Sequence, residues 1–197
     1  FFLFQFQFLL NQSEYIKEIE TEIKKMTKVF KVSSADNKKL SEIVVYYEYD
    51  QDISGKIIIG NKVFEGANRL AASFDKVKIS DETNFNKRCE ISEFTNTCGL
   101  NKLIDKYSYL YKNEFFHNNQ LTFKRVYENY KKNDLLSKRV FDILLEVIIQ
   151  SIENIIYIID PNLIILNFNL GKYQNEIIEI IKERLYKNTK VLFKNRI

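Results

Sequence analysis

The apolar stretch from Leu135 to Ile159 constrains this chain more than any other part of it. Its second half, Ile143 to Ile159, is nearly long enough to cross a bilayer. Glu146, Gln150, Glu153 and Asn154 interrupt it, at spacings of i, i+4, i+7 and i+8. That places all four on one helical stripe, so the run predicts a mostly buried helix with one wet edge, and no membrane span. Asp160-Pro161-Asn162 ends it, because Pro161 cannot continue a helix. Leu163 to Leu166 then reads as a strand of the fully buried kind. A buried helix feeding a buried strand implies an α/β fold with a mixed sheet and flanking helices.

The rest of the chain supplies the other layers. Phe4-Gln5-Phe6-Gln7-Phe8 alternates with period two and predicts a strand. Asn11 to Lys28 predicts a helix, with Ser13 as N-cap and Ile16, Ile19, Ile23 and Met26 on one face. Val29 to Val32 is a short strand and Ser34 to Glu42 a polar turn or short helix. Strands follow over Ile43–Tyr49 and Lys56–Phe64, with Gly60-Asn61 as a turn inside the second. Ser80 to Asn96 is polar and irregular and reads as a long loop. Helices are expected over Gly99–Asn113, Thr122–Lys132 and Tyr173–Lys187, and a last strand over Val191–Phe193. Ile43–Tyr49, Lys56–Phe64 and Leu163–Leu166 are expected to form one sheet under the long helix.

Composition excludes several functions. With 45% hydrophobic residues the chain is not disordered. Its 30 basic and 26 acidic residues are interspersed, so charge does not single out nucleic acid. Two cysteines make no disulfide scaffold and predict a reducing compartment, the cytoplasm. Phe1 to Leu10 lacks the basic start and cleavage site of a signal peptide. The chain begins with Phe1, which reads as a fragment. Ile, Lys, Asn, Phe and Tyr are abundant, as A- and T-rich codons would make them. Only five glycines are present, too few for phosphate-cradling loops. His117 lies in a loop with no sequence feature that pairs it with Cys89 or Cys98, and no nucleophile elbow or Walker loop occurs. Lys124, Arg125, Lys131, Lys132, Lys138 and Arg139 are spaced along helices as a solvated face, with no helix-turn-helix to make a nucleic-acid surface.

Three stretches, in order, resemble the carboxy-terminal lobe of ROK-family proteins, the sugar kinases and sugar-sensing repressors. The first is Ile43-Val44-Val45-Tyr46-Tyr47 leading into Lys56 to Asn68, where that family has a hairpin ending in Gly-Ala-Asn-Gly. The second is the segment from Cys89 to Cys98 followed by a helix, and the third is the long helix into Asp160-Pro161-Asn162 and Leu163 to Leu166. The resemblance covers roughly residues 28–186. It implies one lobe of the actin-like ATPase (ribonuclease H-like) fold at 28–197, with residues 1–27 leading in from a missing first lobe.

Carried over residue by residue, the chemistry that the resemblance implies is largely lost. The family's sugar-phosphorylating base falls on Ser34, whose hydroxyl cannot take the sugar proton without a base of its own. Asp36 would serve only in a shifted register. The phosphate-loop glycines fall on Asp50, Asp52, Ser54 and Lys56, with Gly55 one place off. Two aspartates there would repel a triphosphate or hold it through Mg²⁺, and the missing glycines block close approach of the backbone; the other reading is a polar hairpin turn with solvated carboxylates. Gly66 and Asn68 remain at sugar-side positions. The sugar-reading Ala-Gly-Glu-X-Gly-His is replaced within Arg69-Leu70-Ala71-Ala72-Ser73-Phe74-Asp75-Lys76, Ser73 standing for the Glu and Lys76 for the His. Lysine is not a zinc ligand in that role, and Cys89 and Cys98 remain as two vestigial thiols, expected to be buried and metal-free. Asn167-Phe168-Asn169 replaces the adenine-side Gly-Gly-Gly, with Phe168 expected to pack in the core. No Asp-X-Gly-X-Thr hairpin of a first lobe occurs in the chain.

The expectation is therefore a catalytically inactive remnant, or a non-catalytic binding and assembly module, that needs no cofactor. Its partner would be a second copy or the missing lobe, and whether it takes a sugar ligand stays open. Two alternatives remain. One is an active hexose kinase using ATP and Mg²⁺, with its first lobe upstream. The other is the ligand-sensing or oligomerisation part of a ROK-type repressor.

Overall fold

The computed structural model describes residues 43–60, 62–81, 84–111 and 121–189. The expectations for Phe4–Phe8, Asn11–Lys28, Val29–Val32, Ser34–Glu42, His117 and Val191–Phe193, and the boundary at 27/28, lie outside those residues.

A four-stranded sheet is built from β1 (Ile43–Tyr49), β2 (Ile53–Ile59), β3 (Lys62–Val63) and β6 (Leu163–Phe168), in the order β3-β2-β1-β6. β1 is antiparallel to β2 and parallel to β6. The expected sheet thus forms, with corrected limits. β2 begins at Ile53, inside the stretch expected to be turn, and Gly60 at φ +61 returns the chain into β3.

Side chains on one face of this sheet stack in three rows. Ile57, Val45 and Ile164 make the first, Gly55, Tyr47 and Leu166 the second, and Ile53, Tyr49 and Phe168 the third. Apart from Gly55, every member is buried. The other face is wetter: β6 alternates between buried and half-buried positions, so it is not hidden on both sides as its apolar sequence predicts. Asn167, at the polar end of that face, donates from Nδ2 to Tyr46 Oη at 2.8 Å and to Glu48 Oε1 at 2.9 Å.

Parallel neighbours need a crossover, and here it holds most of the chain. The stretch 80–96, read from sequence as a loop, is instead regular. It forms the antiparallel ribbon β4 (Lys78–Asp81) and β5 (Asn84–Glu90), then the one-turn helix α1 (Ser92–Thr95). Ile79 opposes Cys89 and both are buried. A two-stranded ribbon hides so few apolar side chains that its alternation barely registers in the sequence. α2 (Thr97–Ser108) starts two residues before the expected Gly99, because Asn96 caps it by accepting from Gly99 N at 2.8 Å. α3 (Phe123–Tyr130) is capped by Thr122.

α4 (Leu135–Ile159) has the expected limits, opened by Asp134 as N-cap and closed by Asp160 in the left-handed region. Leu136, Val140, Leu144, Leu145, Ile148, Ile149 and Ile152 are fully buried along it. Its wet edge is real, and α5 (Gln174–Thr189) is tied to it. Arg184 pairs with Asp142 at 3.3 Å and Glu146 at 3.9 Å, and Asn188 donates to Glu153 at 2.8 Å. No helix among the described residues is long and apolar enough to cross a membrane.

Candidate functional site

In open α/β sheets, ligands bind beyond the carboxyl ends of parallel strands. Here those ends are Tyr49 on β1 and Phe168 on β6, which are register partners. The turn Asp50–Asp52 and the residue Asn169 lie immediately beyond them.

Around this mouth the chain's own polar groups bond one another. Asn169 donates its backbone N–H to Tyr49 O at 3.1 Å and its amide Nδ2 to Asp50 Oδ1 at 2.9 Å. Asp52 Oδ1 accepts from Ile53 N at 2.8 Å and from the hydroxyl of Thr95 at 2.7 Å. Tyr49 Oη donates to Thr95 O at 2.7 Å. Burial pushes the Tyr49 phenol well above its ordinary range, and the nearby Asp52 carboxylate adds to the shift. The turn is polar, as expected, but of its two carboxylates only Asp50 is exposed; Asp52 is half-buried and engaged.

Gly55 has a different reason to be glycine than a phosphate. A Cβ there would come within 2.4 Å of the Phe74 ring and 2.5 Å of Tyr46 O. Phe74 covers that gap and stacks on Tyr47, with ring centroids 5.7 Å apart. Phe168 is fully buried against Tyr49 and Phe123. It packs in the core, as expected, and does not reach the approach surface.

The residues present do not fit a nucleoside triphosphate with Mg²⁺. Phosphate oxygens need free backbone N–H groups that glycine lets them approach. At this tip the carboxylates of Asp50 and Asp52 stand instead, each already hydrogen-bonded, Asp52 to Thr95 and Asp50 to Asn169.

The sugar-side candidates share one folded segment. Gly66 turns the chain at φ +73, Asn68 is exposed, and Ser73 precedes the single turn Phe74–Lys76. Lys76 reaches Asp75 at 3.2 Å and, across the segment, Glu90 at 3.4 Å, and these partners raise its pKa, Asp75 foremost. Ser92 also donates to Glu90 at 3.4 Å. Ser34 and Asp36 lie outside the described residues.

The donor set does not fit zinc either. Cys89 is buried in β5, whereas Cys98, expected to be buried, is exposed at the start of α2. Among the described residues no three His, Cys, Asp or Glu side chains gather as metal ligands. In the basic cluster, Lys131 bonds Glu176 at 2.7 Å and Arg139 lies 5.3 Å from the centre of the Tyr107 ring. Thr95, Asn169 and Glu90 had no sequence signal: each gains its role from a partner at least 14 residues away.

No family model matches the sequence, and neither does any curated protein. Solved structures do. A ROK family protein from Streptococcus pneumoniae TIGR4 in complex with sucrose is 15% identical, with 80% of this chain and 50% of that one covered at a TM-score of 0.58. A ROK family glucokinase from Streptomyces griseus in complex with glucose and AMPPNP is 14% identical, over 75% of this chain and 51% of that one, at 0.56. A ROK family transcriptional regulator, a homologue of the E. coli MLC protein, is 9% identical, over 74% of this chain and 38% of that one, at 0.58. The chain spans about half the length of the first of these. In fold, over that half, this chain resembles the ROK family of sugar kinases and repressors, with their actin-like ATPase architecture.

Proposed function

We propose that this chain is a ROK-like, sugar-related module that binds or assembles and does not transfer phosphate. The observation that carries this reading is the mouth at the carboxyl ends of β1 and β6, where the Asp50 and Asp52 carboxylates stand and Asn169 donates to Asp50. A triphosphate placed there would meet two carboxylates and no glycine. On the sugar side, Ser73 and Lys76 stand where the resemblance puts a carboxylate and an imidazole, and Lys76 is held by Asp75 and Glu90. Losing a positioned general base typically lowers a rate by about 10²–10⁴-fold.

A coupled assay of ADP release tests this on the purified chain, with ATP, Mg²⁺ and either glucose or N-acetylmannosamine. The expected result is turnover at background. Sugar-dependent turnover that disappears in Asp36→Ala would restore the kinase reading and place the base at Asp36.

A further inference from the structure

The tip of the β1–β2 hairpin holds more than itself. Thr95 is fully buried and ends α1, the turn that lies between Cys89 and Cys98. Its N–H closes the turn on Ile91 O at 3.2 Å, and its carbonyl and hydroxyl are both taken by the hairpin. Its carbonyl accepts from Tyr49 Oη and its hydroxyl donates to Asp52 Oδ1, each at 2.7 Å. The hydroxyl is also 3.1 Å from Ile91 O, but it has one proton, and the shorter contact to a charged acceptor is the stronger claim on it. Asp52 in turn fixes the first amide of β2 through Ile53 N at 2.8 Å. Below α1, Gly99 lets α2 start close by: a Cβ there would meet Glu93 O at 2.3 Å.

We infer that Tyr49, Asp52 and Thr95 form an interlock that fastens the cysteine-bearing segment to the sheet, occupying the hairpin tip with protein contacts where a phosphate would have to lie. Asp52 is thereby a structural residue, whose carboxylate serves a buried hydroxyl and a strand amide, not a metal–nucleotide complex. The inference rests on the proposed function only in taking the tip as free of nucleotide. Both of its bonds to Thr95 span more than 40 residues of sequence, so the interlock forms only with the tertiary structure.

Thermal melting and amide hydrogen exchange on the full chain test it. Asp52→Ala and Thr95→Val should each lower Tm by about 3–8 °C. The double variant should melt no lower than the worse single one, because both remove the same bond. Thr95→Ser, which keeps the hydroxyl, should retain most of the wild-type Tm. Exchange at Ile53 N–H should quicken at least about tenfold in Asp52→Ala. Millimolar ATP with Mg²⁺ should leave Tm unchanged in every variant. Additive losses in the double variant would overturn the interlock, as would unaltered exchange at Ile53. So would a rise in Tm with Mg²⁺ and ATP that Asp52→Ala abolishes, since Asp52 would then be a ligand. Sugar-dependent ADP release alongside non-additive melting would keep the interlock and remove the proposed function.

Discussion

Arg69 and Ala72 hold left-handed backbone, at φ +57 and +63, although neither is glycine. That conformation crowds Cβ against the carbonyl and costs about 1–2 kcal/mol per residue. The resemblance to ROK proteins puts glycine at both places: Arg69 follows Gly66-Ala67-Asn68, and Ala72 precedes Ser73 in the sugar-reading segment. The backbone there holds a shape that its side chains disfavour, with bonds such as Ala71 N to Glu65 O at 3.1 Å to support it. Ala72→Gly should accordingly raise unfolding stability by about 1 kcal/mol, read as a higher urea midpoint at constant slope. A lower midpoint would mean that the gain in unfolded-state freedom exceeds the strain relieved. At this scale the sequence was legible wherever one residue decides: Pro161 after the long helix, Gly60 in its turn. It was silent on Thr95 and Asn169, whose partners lie far off along the chain.

Among the elements, β2 shows how a strand and a distant turn share one volume. Gly55 faces Tyr47 across the ladder, and the ring of Phe74 occupies the space its side chain would need. Gly55→Ala should destabilise by about 1–3 kcal/mol, the usual cost of overpacking, since neither a stacked ring nor Tyr46 O can yield cheaply. In a Phe74→Ala background the ring's part of that cost should vanish while the contact with Tyr46 O stays, and a double-mutant cycle by urea unfolding measures the ring's part. Equal losses in both backgrounds would mean that Phe74 does not fill the gap. The glycine was visible in the sequence as a remnant one place off a phosphate loop; only packing shows what it is for. The ribbon β4–β5 was missed for a related reason. Its regularity lies in backbone bonding between Lys78–Asp81 and Asn84–Glu90, with Ile79 and Cys89 the only pair of its ladder shown buried on both sides. α4, by contrast, was legible to the residue, because a long apolar run between Asp134 and Pro161 has one good solution.

For the whole molecule, the aromatic start of the chain is the sequence feature that bears on association. Phe1, Phe2, Phe4, Phe6 and Phe8 fall within eight residues of the sequence, and so apolar a run, where no lobe covers it, would mark an interface or an aggregation site. Self-association is therefore proposed, and light scattering on the chain with and without residues 1–10 measures it. The expected outcome is an assembly larger than 23.5 kDa that shrinks on truncation. A monomer that stays soluble at high concentration with Phe1–Leu10 present would end that proposal.

Hydrophobic pattern and punctuation by themselves determined the fold class, the three main sheet segments and the covering helix. Apolar periodicity reports which surfaces must leave water, and that is a local property of sequence. What stands at the carboxyl ends of β1 and β6 was decided only by tertiary structure. Asp50, Asp52, Thr95 and Asn169 are ordinary polar residues until folding brings segments more than 40 positions apart within hydrogen-bond distance, and side-chain bonding of that range leaves no period to read.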